Sequence, residues 1–146
     1  MNGAPGILRG IYILFLRIVD DARIRVGGLG EIELEKGLYA YVGSAQNNLE
    51  KRIARHRLRE KKLQWHIDYI TVDKGVIVEG ACAYELPREY ECRVARLMEE
   101  ISQKAIKGFG SSDCRCPSHL FKITRTIEEV CESVSRALGV RQRRVL

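Results

Sequence analysis

The chain has 146 residues, 45% of them hydrophobic and 30% charged. That composition excludes a disordered polypeptide and fits one compact domain. Twenty-five Lys and Arg against 19 Asp and Glu leave a net charge of +6, so an anionic partner is expected, nucleic acid ahead of an acidic membrane surface. The longest apolar stretch, Ile11 to Leu16 between Arg9 and Arg17, falls far short of the ~20 residues of a spanning helix and of a signal-peptide centre.

Five cysteines occur, at Cys82, Cys92, Cys114, Cys116 and Cys131. Their odd number and irregular spacing, with no export signal, point to reduced thiols in the cytoplasm.

Met1 to Pro5 reads as a loose leader. Gly10 to Val19 (GIYILFLRIV) is a near-continuous, β-branched apolar run, the pattern of a central strand covered on both faces. Arg23–Val26 and Glu31–Leu34 alternate polar and apolar residues around Gly27, Gly28 and Gly30, a hairpin signature. Another strand runs from Gly37 to Gly43. Leu49, Arg52, Ile53 and His56 then share one helix face, with Leu49 and Ile53 as anchors and Arg52 and His56 at the stripe's edge.

Trp65–Val72 reads as a short helix and Val76–Cys82 as a strand. Arg88–Lys104 is a longer helix whose inward face carries Glu91, Val94 or Ala95, Met98 and Ile101. A Gly/Ser/Cys loop covers Gly108–His119 and a short strand Leu120–Thr124. The last helix, Thr126–Leu138, has Thr126 as N-cap, Glu128 and Glu129 in its first turn, and Gly139 as its stop. The tail Arg141, Arg143, Arg144 is expected to be mobile. The expected fold is a single small α/β (α+β) domain with a central antiparallel three-stranded sheet, an inserted hairpin and flanking helices. Its core covers about residues 8–125.

Lys51, Arg52, Arg55, Arg57, Arg59, Lys61 and Lys62 form a basic run in which Glu60 is the only acid, with His56 in its middle. It is either a solvated helix face or a phosphate-binding surface, for which the planar Arg fork is well suited. Tyr12 and Tyr41 on neighbouring strands read as core packing or as a catalytic pair.

The ordered set Gly10-Ile11-Tyr12, Tyr41-Val42-Gly43-Ser44-Ala45, Glu50-Lys51-Arg52 and Arg55-His56 resembles the GIY-YIG nuclease superfamily. Trp65 to Tyr69, Glu91-Cys92, Gly108 to Cys114, Cys116 and Ser118 to Phe121 carry a narrower resemblance, to the Uri-type endonucleases, an archaeal and bacterial group described as a domain of unknown function. The gap between the two tripeptides is longer than is usual in the superfamily, because a hairpin intervenes. The superfamily's late asparagine has no clear counterpart; Ser112-Asp113 falls near that point.

The resemblance implies a DNA endonuclease using one Mg²⁺ or Mn²⁺, with repair or structure-specific cleavage as its setting and RNA not excluded. Carried over by position, Tyr12 is the general base, Tyr41 positions the nucleophile or phosphate, and Arg52 stabilises transition-state charge. Glu91 holds the metal and His56 hydrogen-bonds Tyr12. Lys51, Arg55, Arg57, Arg59, Lys61 and Lys62 hold the DNA backbone. A free tyrosine titrates near 10, so Arg52, His56 and a metal are expected to favour the phenolate.

Asp113, Cys114, Cys116 and His119 form a second constellation. It could be a structural zinc site, with Cys92 or His66 as a further ligand. The alternatives are a rigid self-bonded loop and a lining for the cleft. His66 and Asp68 either pack around Trp65 or face the cleft. Two competing readings remain for the chain: a non-catalytic nucleic-acid-binding module, and a zinc-stabilised interaction domain.

Overall fold

Residues 9–110 and 116–146 are described by the computed structural model. β1 (Gly10–Ile18) is the centre of the fold. It pairs antiparallel with β4 (Gly37–Ala45) on one side and β5 (Val76–Tyr84) on the other. β7 (Leu120–Ile123) extends the sheet beyond β4, and β6 (Lys104–Ala105) beyond β7. On the far side β8 (Gln142–Arg144) pairs with β5. Among the described residues the antiparallel sheet therefore has six strands, in the order β6-β7-β4-β1-β5-β8, rather than the three expected. The two-residue β6 and three-residue β8 are too short to leave a periodic signal.

β2 (Ala22–Val26) and β3 (Gly30–Leu34) are the inserted hairpin. They form a separate two-stranded sheet, so β1 and β4 meet directly, as if the insertion were absent. The strand alternation splits the core in two. Tyr12, Leu14, Leu16 and Ile18 face one side, where α1 (Leu49–His56), α2 (His66–Thr71) and the hairpin supply Leu49, Ile53, Ile67, Ile70, Ile24 and Val26. Ile11, Ile13 and Phe15 face the other, against Val94, Ala95 and Met98 of α3 (Glu91–Ile101) and Val130 and Val134 of α4 (Ile127–Leu138). Burying each such side chain contributes about 1.5–3 kcal/mol, which makes β1, covered on both faces, the most strongly held strand.

Several local expectations meet corrections. α1 stops at His56, so the basic run from Arg57 to Lys62 is turn and loop rather than helix. α3 begins at Glu91 after a single 3-10 turn, Arg88–Tyr90, and ends at Ile101. Glu91 and Ile101 lie at the edge of its buried face, not within it. The C-terminal Arg-rich tail is docked as β8, because the open edge of β5 carries backbone groups that need partners. Cys82 on β5 and Cys131 on α4 form a disulfide inside the core, a pairing of residues 49 apart that an odd cysteine count did not suggest.

α4 follows its signals closely. The Thr126 hydroxyl accepts from the Glu129 N–H at 3.1 Å, and Glu129 accepts from the Thr126 N–H at 2.9 Å, a reciprocal cap. Gly139 closes the helix in the left-handed conformation, φ 65°.

Candidate active site

The antiparallel register of β1 and β4 sets Tyr12 opposite Gly43, and Tyr41 opposite Leu14. Both tyrosines emerge on one face, their ring centroids 6.4 Å apart. The glycine is required: a Cβ at position 43 would stand 2.4 Å from Cζ of Tyr12. The Tyr12 ring therefore fills the space that Gly43 leaves. A cleft of about 630 Å³ opens beside them, with Arg52, Trp65, Glu91 and His119 among its walls.

Tyr12 Oη lies 2.8 Å from Nε2 of His56. Helix α1 carries His56 into the core, where it is fully buried, not at the edge of the stripe. Burial there, with the charges of Lys61, Arg52 and Arg55 opposing protonation, pulls its pKa down to about 3, although Asp68 acts the other way. The ring is neutral at ordinary pH. It is therefore a hydrogen-bond partner for Tyr12 and not one of the cations expected to favour a phenolate. Its Nδ1 is buried and meets no hydrogen-bond partner among the described residues. Burial also raises the pKa of Tyr12; Arg52 opposes that shift without overcoming it. Tyr41 is raised too, by burial and then by Tyr12. In the protein alone both phenols keep their protons.

Arg52 is held from two sides. Its Nη1 donates to the Ser44 carbonyl at 3.2 Å, and its guanidinium lies 4.4 Å from the Trp65 ring centroid. Arg55 sits 4.7 Å from the same ring. Such cation–π contacts contribute about 0.5–1 kcal/mol each at partly exposed sites; here they also fix where the guanidinium points. Glu91 opens α3, its side chain 25% exposed and its Oε2 3.4 Å from Nδ1 of His119. Tyr12, Tyr41, Arg52 and Glu91 thus share one cleft, with His56 behind Tyr12.

The six backbone-binding candidates divide. Arg55 binds both oxygens of Asp68 and the Lys62 carbonyl. Arg59 donates to the carbonyls of Asp73 and Val76. Lys61 reaches the carbonyls of Arg55 and His56 and the Thr71 hydroxyl; burial lowers its pKa to about 8. These three hold the loop after α1 against α2 and β5. Lys51, Arg57 and Lys62 are exposed.

His66 and Asp68 have structural work. His66 Nδ1 accepts from the Gly110 N–H at 2.9 Å, which fixes the glycine (φ +68°) beneath Tyr41. Asp68 is fully buried and takes the backbone N–H groups of Gln64 and Trp65 besides Arg55. Cys92, Cys116 and His119 come together, with ligand atoms all within 4.8 Å of one another, and this cluster can hold a metal ion. Cys92 belongs to it and His66 does not. Asp113 and Cys114 lie outside the described residues.

Trp65, Arg88 and Glu89 also line the cleft and carried no sequence signal as site residues. For Trp65 the hint was its position just beyond the basic run. For Arg88 and Glu89 it was their place in a Pro-led turn immediately before Glu91.

No curated protein and no solved structure matches the chain. The family model described as "Domain of unknown function DUF123" matches residues 11–140, nearly the whole chain and every residue of the cleft named above. The chain belongs to the DUF123 family.

Proposed function

We propose that this protein is a divalent-metal-dependent endonuclease of GIY-YIG type that hydrolyses DNA phosphodiester bonds in repair or structure-specific cleavage. The observation that carries the reading is the convergence of Tyr12, backed by His56 at 2.8 Å, with Tyr41, Arg52 and Glu91 in one cleft. These residues come from β1, β4, α1 and α3, and only tertiary folding unites them.

The donor set fits a hard cation. Mg²⁺ and Mn²⁺ prefer oxygen ligands, and in phosphate chemistry Mg²⁺ often takes only one or two protein carboxylates and keeps waters. Glu91 is a partly exposed carboxylate on the cleft wall, so it would hold the ion. Once bound, such an ion would polarise the phosphoryl oxygen and stabilise the leaving oxygen.

The side chains do the rest. With His56 in the Nδ1–H tautomer, the Tyr12 hydroxyl donates a hydrogen bond to Nε2 of His56 and accepts one from the attacking water. As the water oxygen forms its bond to phosphorus, its proton passes to Tyr12 Oη while the tyrosine proton moves to Nε2, and the bond from phosphorus to the leaving oxygen breaks with that oxygen keeping the electron pair. The resulting imidazolium is disfavoured by burial. The step therefore gains from negative charge at the reacting phosphate, which substrate brings and the free protein lacks. Arg52, fixed by Ser44 and Trp65, neutralises charge on the phosphorane-like transition state. Tyr41 orients the phosphate or the water.

The test is a cleavage screen over nicked, gapped, flapped, branched and abasic DNA with Mg²⁺ or Mn²⁺. The reading predicts metal-dependent nicking of at least one form, abolished in Glu91→Ala. Salt-sensitive binding to these DNAs without turnover would favour a non-catalytic module instead.

A further inference from the structure

Three side chains beside the proposed nuclease centre have no role in it. Cys92 follows Glu91 in the first turn of α3; Cys116 and His119 precede β7. Cys116 is 6% and His119 2% exposed, and Cys92 is half-buried. Both cysteines are thiols outside the Cys82–Cys131 disulfide. Their sulfurs and a ring nitrogen of His119 lie within 4.8 Å of one another.

We propose that Cys92, Cys116 and His119 bind a zinc ion that ties the segment before β7 to the start of α3. The argument begins with distances. Zinc holds thiolate at ~2.3 Å and imidazole nitrogen at ~2.0 Å in a tetrahedron. Ligand atoms on one such ion therefore stand about 3.5–3.8 Å apart. From separations within 4.8 Å, a closure of at most about 1.3 Å brings the three into that range, within reach of rotamer adjustment. The chemistry points the same way. Two thiolates and an imidazole select a borderline-soft ion such as Zn²⁺ and disfavour Mg²⁺, which needs hard oxygen donors.

The surroundings supply an orienting partner. Oε2 of Glu91 is 3.4 Å from Nδ1 of His119, near enough to take the Nδ1–H of a ring that ligates through Nε2, as carboxylates do for metal-ligating imidazoles. The tie would also have a mechanical effect. Gly108 donates its N–H to the Pro117 carbonyl, and His119 to the Phe109 carbonyl, so the stretch of chain around Gly108–Gly110 moves with the stretch that carries Cys116 and His119. Anchoring that segment to α3 fixes Glu91 relative to Tyr41. Zinc here is a tie beside the hydrolytic centre, with three protein ligands and water at the fourth corner.

The experiment is metal analysis of the purified full-length chain, followed by titration of the stripped protein with Co²⁺. About one zinc per chain is expected, together with a thiolate-to-cobalt charge-transfer band that Zn²⁺ displaces. Cys116→Ser and His119→Asn should weaken or abolish the band, whereas Cys131→Ala, which removes the disulfide, should keep it. If the stripped wild-type protein is folded by circular dichroism and gives no thiolate–cobalt band, the site does not exist. A band that survives in both Cys92→Ser and Cys116→Ser also overturns it. None of these readouts depends on DNA cleavage, so failure here leaves the nuclease reading standing, and the reverse.

Discussion

Arg55 grips the buried carboxylate of Asp68 with two hydrogen bonds, Nη1 to Oδ1 at 2.8 Å and Nη2 to Oδ2 at 3.1 Å. The pair joins α1 to the start of α2 and carries Trp65 between them. Removing one partner of a buried pair leaves the other charge uncompensated, at about 3–5 kcal/mol. Asp68→Ala is expected to lose that much in urea unfolding. Arg55→Ala should lose less, since the carboxylate it leaves still accepts from the Gln64 and Trp65 N–H groups and can protonate. If Arg55→Ala melts like the wild type and only weakens DNA binding, Arg55 is a phosphate anchor after all.

Acid sensitivity follows from His56 and Asp68. His56 has its pKa lowered from 6.5 to about 3, chiefly by burial. The unfolded chain binds this proton below about 6.5, and the folded one does not until about 3. Stability therefore falls as pH drops through that window, by up to ~1.4 kcal/mol per pH unit. For Asp68 burial pushes the pKa up, but Arg55 and the N–H groups of Trp65 and Gln64 together win and lower it. Its contribution is present above the unfolded carboxylate pKa and is lost on acidification, adding at the low end of the same window. Chemical denaturation from pH 7 to 4 should show this slope, and His56→Gln should flatten its upper part. A slope unchanged in His56→Gln contradicts a neutral buried imidazole.

The basic residues should separate by function. Lys51, Arg57 and Lys62 are exposed. Replacing all three by Ala is expected to weaken DNA binding and to reduce the slope of log K against log salt by up to about 3, at ~0.9 per phosphate contact. Arg59→Ala and Lys61→Ala should instead lower the melting temperature, because their head groups bridge backbone carbonyls of α1, the turn after α2 and β5, and Lys61 also the Thr71 hydroxyl. Fluorescence anisotropy across a salt series, paired with thermal melts, checks both halves.

Gly43 exists for Tyr12. Gly43→Ala would place a Cβ 2.4 Å from the phenol ring, so the ring must move. Overpacking of this kind costs about 1–3 kcal/mol. The displaced hydroxyl should also lose its bond to His56. We expect a folded but less stable variant with cleavage at or below the level of Tyr12→Phe. Undiminished cleavage in Gly43→Ala would show that the ring position is not critical.

Local signals were legible in the sequence. The all-apolar run of β1, the 3.6-residue spacing of α1 and the Thr126/Glu129/Gly139 punctuation of α4 each follow from neighbours a few residues apart. The two tripeptides located the cleft because strand register carries Tyr12 and Tyr41 to one face. What escaped depends on distant partners. The pairing of Cys82 with Cys131, the docking of residues 142–144 on β5 and the buried state of His56 are tertiary events. For the same reason the sequence did not show that Arg55, Arg59 and Lys61 of the basic run also bond Asp68, Thr71 and the carbonyls of Asp73 and Val76. Glu91 was identified by resemblance; its contact with His119 was not foreseeable, since 28 residues and a loop separate them.

The most direct measurement is the single-turnover cleavage rate of wild-type protein and Tyr12→Phe on the best DNA form, with Mg²⁺ or Mn²⁺. Phe keeps the packing against Gly43 and removes only the hydroxyl. The account predicts metal-dependent cleavage by the wild type and a fall of about 10²-fold or more in the variant, with DNA affinity retained. A Tyr12→Phe rate equal to wild type, or no metal-dependent cleavage of any DNA form by the wild type, would contradict it.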